Sequence, residues 1–272
     1  VRAEYPEFQT LVVEQQDRLL TVTMNRPESL NAVGGGMHEE LEEFFHRVRF
    51  DNSVGAILLR GAGRAFSSGG DVKGMAATAQ GGAEPNLGER AGGMLQGAKN
   101  IIASMLDVEQ PIVSAVQGYA MGLGATLALC ADVCIAAEDA ILADTHVSIG
   151  LVAGDGGALI WPMLLPINTA KYYLMTGERI TGKEAERLGL VLRAVPKENL
   201  AEESLAVAWK LANGPSLAIR WTKTSVNKIL RERLNLLLDT SLLLEFSSML
   251  TADHKEATAA FVERREPKFT GR

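Results

Sequence analysis

In the first half of the chain the apolar residues come in short runs separated by glycine-rich turns, and in the last third they recur at helical spacing. Leu11-Val12-Val13-Glu14 and Leu19-Leu20-Thr21-Val22-Thr23-Met24 predict two strands joined by the polar turn Gln15 to Arg18. From Met37 to Phe50 the apolar positions Leu41, Phe44, Phe45 and Val48 follow the period of an amphipathic helix, with acidic residues early and basic ones late, as the helix dipole favours. Val54 to Arg60, Pro111 to Val116, Val133 to Ala137 and Ala140 to Leu142 are runs of buried-strand length, while Ile101 to Leu106 and Leu123 to Ala131 predict helices. Residues 77–93 carry many Gly and Ala with weak periodicity, which predicts a mobile loop and a candidate lid over a pocket.

From Ala158 onward the pattern is helical, with Leu190 to Val195 as a strand-like exception. Thr181-Gly182-Lys183-Glu184 is a capping box ahead of a short helix that stops at Gly189, and Pro196-Lys197-Glu198 opens a longer one. Leu217 to Lys228, Leu234 to Met249 and His254 to Arg264 then predict three further helices. This divides the chain into an α/β core over 1–200 and a helical region over 201–272.

With 272 residues, 47% hydrophobic and 22% charged, the chain has enough apolar material for one large core. A net charge of -6 argues against nucleic acid as a partner. No stretch approaches the ~20 apolar residues of a membrane span, and Val1 to Thr10 lacks a signal-peptide core, so a cytoplasmic protein with no membrane partner is expected. Cys130 and Cys134, with no neighbouring His, read as buried free thiols.

The chemistry is carried by two glycine-rich segments, Ala65-Phe66-Ser67-Ser68-Gly69-Gly70-Asp71 and Gly118-Tyr119-Ala120-Met121-Gly122-Leu123-Gly124, each following a strand-like run and leading into a helix-like one. Such a turn lets the main chain approach a ligand and presents unpaired N–H groups, so the two segments predict the two halves of one anion hole. A dinucleotide fingerprint does not fit, because Gly61-x-Gly63-x-x-Phe66 and Gly122-x-Gly124-x-x-Leu127 lack the third small residue.

These segments resemble the crotonase superfamily, the enoyl-CoA hydratase and isomerase family. The likeness extends to Asn25-Arg26-Pro27 with Leu30-Asn31-Ala32, to Leu174-Met175-Thr176-Gly177 with Gly189-Leu190-Val191, and to Phe261-Val262-Glu263-Arg264-Arg265, in chain order. The resemblance implies an α/β spiral of ββα units, a helical C-terminal region used for trimerisation, a homotrimer or a hexamer of two trimers, and an acyl-CoA substrate with no separate cofactor. It assigns the two oxyanion N–H groups to Gly70 and Leu123, and it implies CoA and substrate contacts at Arg26, Leu30, Ser68, Asp71 and, through a tail reaching a neighbouring subunit, Lys268 or Arg265.

The chain departs from the two-glutamate pattern of the hydratases, since Thr126 stands at the first glutamate position and His146 at the second. A threonine hydroxyl orients a water or substrate group but is no general base near neutral pH, whereas an imidazole both accepts and donates a proton there. Asp155, between Gly154 and Gly156, reads either as a helix N-cap or as the partner of His146. The His146 and Asp155 combination is similar to that of the oxocamphor hydrolase branch, which cleaves the carbon-carbon bond of a β-diketone. Asp144 reads either as a third member of this group or as a capping or surface-paired residue, His38, His46 and His254 read as solvated or packing residues, and no spacing implies a metal. Three functions follow: an acyl-CoA hydratase or isomerase, a β-diketone C–C hydrolase, and a catalytically silent CoA-ester-binding relative.

Overall fold

The computed structural model describes residues 3–71, 97 and 99–272. The candidate lid at 77–93 therefore lies outside the described residues. β1 (Leu11–Gln16) and β2 (Leu19–Met24) form the expected antiparallel hairpin, turned at Asp17 with φ 47°. β3 (Ala56–Gly61), β4 (Ile112–Val116), β6 (Val133–Ala137) and β9 (Arg193–Val195) add to it in parallel, giving one sheet in the order β1-β2-β3-β4-β6-β9. β3 and β4 are almost wholly apolar and buried because helices cover the sheet, as parallel strands require.

A smaller sheet, β5-β7-β8, is built from Tyr119–Met121, Ile141–Ala143 and Ile180–Thr181. Single bridges from Ser67 to Ala120 and from Val33 to Gly70 extend it toward the N-terminal loops. The second glycine segment is thus part strand, which sequence pattern alone did not show. Three residues between two glycines are too few to display a period.

The helices are α1 (Met37–Val48), α2 (Leu123–Leu129), α3 (Gly157–Leu164), α4 (Ile167–Thr176), α5 (Gly182–Leu188), α6 (Leu200–Ala212), α7 (Ser216–Met249) and α8 (Ala252–Glu263), with a further helical stretch over 99–107. The Thr181 hydroxyl caps α5 as predicted, accepting the Glu184 N–H at 3.2 Å. Two predicted C-terminal helices are one. α7 runs without a break across 229–233 because no Gly or Pro interrupts it, and Arg231 in that stretch turns its guanidinium to Asp107 and the Ala103 carbonyl.

α6, which starts at the division expected near residue 200, lies on the sheet. Its Ala208 and Ala212 are fully buried, and a Cβ at Gly55 would stand 2.4 Å from the Ala212 carbonyl oxygen. Leu234, Leu238 and Leu242 of α7 join the same apolar core, so the C-terminal helices share it with the strands. No helix among the described residues is long and apolar enough to cross a membrane.

Candidate active site

The two glycine segments lie main chain against main chain. Phe66 and Ser67 donate their N–H groups to Gln117 and Tyr119 at 2.8 and 2.9 Å, and Met121 donates back to Ser67 at 3.0 Å. Gly69 has φ +84°, and a Cβ there would sit 2.4 Å from the Met121 oxygen, so any larger residue is both strained and obstructed. The N–H groups of Gly70 and Leu123 have no hydrogen-bond partner among the described residues.

His146 starts a one-turn 3-10 helix directly after β7, and its ring lies beside the turn at Gly122, where a Cβ would meet its Cε1 at 3.5 Å. Both ring nitrogens face carboxylates: Nδ1 is 2.7 Å from Asp144 Oδ1 and Nε2 is 3.2 Å from Asp155 Oδ2. All three side chains are buried. Burial disfavours charge on the ring, but the Asp155 and Asp144 carboxylates outweigh it and hold the imidazole pKa well above its ordinary value.

Asp155 does not cap α3, as one reading of the sequence expected. Gly156 occupies the cap position with φ +116°, and the carboxylate turns back to His146. A charged imidazole is a stronger partner for a buried carboxylate than a neutral N–H is. Asp144 Oδ2 lies close under the start of α3, where a Cβ at Gly157 would be 2.0 Å away.

Glu245, from the middle of the C-terminal region, completes the cluster and was missed in the sequence. α7 is tied over the 152–154 turn by Ser241, whose hydroxyl donates to the Gly154 carbonyl at 2.9 Å, and by Ser248, whose hydroxyl accepts the Val152 N–H at 3.1 Å. Glu245 is 4% exposed, and burial, together with the charge of Asp155, pushes its carboxyl up to about 8, against the opposing pull of His146. A signal was available: the buried stripe Leu234, Leu238, Leu242 of α7 runs into a charged residue type at 245.

Donor atoms of His146, Asp155 and Glu245 lie within 4.8 Å of one another, the one grouping among the described residues with spacing a metal ion could use. One oxygen of each of four residues, Thr126 Oγ1, Asp144 Oδ2, Asp155 Oδ1 and Glu245 Oε2, has no hydrogen-bond partner among the described residues. Thr126 is buried on α2 with its methyl group against Gly156. The His146 ring thus brings the buried carboxyls of Asp144, Asp155 and Glu245 up to the second glycine turn.

The remaining predicted residues spread outward. Leu30 and Ser68 meet each other, the Ser68 N–H donating to the Leu30 carbonyl at 2.9 Å, and Asp71 packs against Gly34. The Arg26 guanidinium donates to the carbonyls of Ala32 and Gly34 at 2.9 and 2.7 Å, so part of it serves to shape the 30–35 loop. Lys268 lies apart from the cluster, its backbone N–H donating to Glu256 on α8 of the same chain. His254 packs as expected, with Nδ1 2.7 Å from the Ile149 carbonyl oxygen.

Strand-turn-helix units wound so that their glycine turns abut, closed over by long C-terminal helices, define a crotonase-type α/β protein. The sequence profile of the enoyl-CoA hydratase/isomerase family matches residues 14–272, and the chain belongs to that family. It is similar to a probable enoyl-CoA hydratase of Rhodobacter capsulatus, with 35% identity over 265 residues, 97% of this chain and 99% of that protein. The 1,2-epoxyphenylacetyl-CoA isomerase of Escherichia coli is 30% identical over 254 residues, covering 93% of this chain and 95% of that one. Among solved structures, an enoyl-CoA hydratase/isomerase from Mycobacterium paratuberculosis superposes with a TM-score of 0.86 at 33% identity, over 94% of this chain and 99% of that one.

Proposed function

We propose that this protein transforms acyl-CoA thioesters by holding the thioester oxygen as an enolate between the N–H groups of Gly70 and Leu123, while His146 and Asp155 move a proton. The observation that carries this reading is the main-chain pairing of Phe66 and Ser67 with Gln117, Tyr119 and Met121, with Gly69 packed against the Met121 oxygen, which sets two glycine turns side by side with the His146 ring against one of them. Polarising the carbonyl lowers the barrier to charge at the α-carbon, and each such donor is typically worth about 2.7 to 4 kcal/mol in the transition state. The relatives carry both hydratase and isomerase names, and a shared fold does not choose between them.

The His146 and Asp155 contact supports a base made of a carboxylate and its imidazolium partner in place of two glutamates. Thr126, buried next to Gly156, orients a water or a substrate group. Leu30, Ser68 and Asp71 flank the first glycine turn and wall the acyl-CoA, while Arg26 and Lys268 answer its phosphates. Solvent-facing Trp221, Leu236 and Leu243 on α7 and Met175 on α4 support assembly as a trimer or hexamer, which light scattering reads directly.

Hydration of crotonyl-CoA, followed as loss of ultraviolet absorbance, tests the reading. Wild type turns over, and His146→Ala and Asp155→Ala lose most of kcat. Equal trace activity in all three marks a CoA-ester-binding relative without catalysis. The His146 and Asp155 pair also favours a second reading, hydrolysis of a β-diketone, and calorimetry with free CoA separates the two because only the first needs the nucleotide end bound.

A further inference from the structure

Three residues of α7 spaced along one face, Leu234, Leu238 and Leu242, are buried in the core, and the next buried position on that face is Glu245. Another leucine would extend the stripe at no electrostatic cost, whereas a carboxyl there loses its hydration. Its Oε2 has no hydrogen-bond partner among the described residues and lies against the Gly154 turn, 2.6 Å from where a Cβ at that residue would be. Asp155, His146 and Asp144 are the titratable groups that face it. A second carboxyl beside a buried carboxylate avoids repulsion by keeping its proton.

We propose that Glu245 is a third catalytic residue, the neutral acid that delivers a proton to the substrate α-carbon while the His146 and Asp155 pair takes one from water. This rests on the acyl-CoA reading above. Hydration moves protons at two positions, so it needs one group to accept and another to give. Asp155 accepts a proton from water as the water oxygen bonds to the β-carbon. The π electrons move to the enolate held at Gly70 and Leu123, and Glu245 gives its proton to the α-carbon as the thioester carbonyl re-forms. The product leaves a neutral Asp155 and an ionised Glu245, and a proton passing from the first to the second restores the starting state. Burial of Glu245 keeps that proton available through neutral pH.

The test is Glu245→Gln in the full chain, which keeps volume and hydrogen-bonding capacity but has no proton to give. Expected are a fall in kcat on crotonyl-CoA of about 10²- to 10⁴-fold, little change in acyl-CoA binding by calorimetry, and loss of the limb of the pH profile that declines above about 8 in the wild type. A Gln variant with wild-type kcat and pH profile overturns the role and leaves the acyl-CoA reading intact. A wild type that neither binds nor converts acyl-CoA overturns both. Carbon-13 NMR of the glutamate carboxyls in the substrate-free protein gives an independent readout: titration of Glu245 in the ordinary glutamate range overturns the proton-holding whatever the activity.

Discussion

The Nε2 atom of His146 lies 3.2 Å from Asp155 Oδ2, across a turn that also ends at the start of α3. Because Nδ1 is held by Asp144 at the same time, the ring cannot rotate to serve another partner without breaking both contacts. Asp155→Asn keeps the shape and removes the basic oxygen, so kcat is expected to fall at least ~10²-fold with acyl-CoA affinity retained. Unchanged turnover in that variant removes Asp155 from the chemistry.

Asp144→Asn tests the other side of the ring. Loss of this carboxylate removes one of the two charges that favour imidazolium, so the His146 pKa is expected to drop toward its ordinary value. Proton or nitrogen-15 NMR of the ring reads this directly. A His146 pKa unmoved by the substitution assigns the whole effect to Asp155.

The cluster also makes stability depend on pH. His146 has a folded-state pKa above its unfolded one, so its contribution is fully present below the unfolded value and is lost as pH rises through the folded value. Glu245 acts in the same direction: between 4.5 and about 8 the unfolded chain ionises this carboxyl while the folded chain does not, which draws the equilibrium toward unfolding. Every tenfold difference in proton affinity between the folded and unfolded chains is worth about 1.4 kcal/mol, so the penalty reaches several kcal/mol at alkaline pH. Glu245→Gln is therefore expected to melt higher than wild type near pH 8 to 9 and to match it near pH 4, which calorimetric scans across that range decide.

Gly69→Ala is expected to disrupt the glycine turns without touching a titratable group. The left-handed φ of +84° and the 2.4 Å approach of the Met121 oxygen leave no room for the methyl, at a cost on the order of 1–3 kcal/mol. Urea denaturation reads the stability, and the Gly70 N–H, displaced with its neighbour, takes kcat down as well. An alanine variant with wild-type midpoint and rate separates this turn from the site.

Local pattern was enough for much of this protein. The β1-β2 hairpin, the buried strands β3, β4 and β6, the amphipathic α1 and the capped α5 each follow from periodicity or a cap that a few neighbouring residues define. The two glycine segments, and His146 and Asp155 as candidates, were legible because they fall in ordered, family-like motifs close along the chain, while the sequence left open whether Asp155 pairs with His146 or caps α3. Short pieces that need a distant partner were not: β5 and β8 exist through pairing with β7. Likewise α7 was divided in two, although no breaker residue lies within it.

The strand-turn-helix units, the pair of glycine turns and a histidine with an aspartate nine residues later are all written into the order of the amino acids, because each depends on local conformational preference and spacing. That Asp155 faces His146 instead of capping α3, and that Glu245 enters the same pocket from α7, came from the packing of distant segments in three dimensions. Those outcomes depend on which groups share a buried space, where unpaired charge is costly, and no local pattern specifies that.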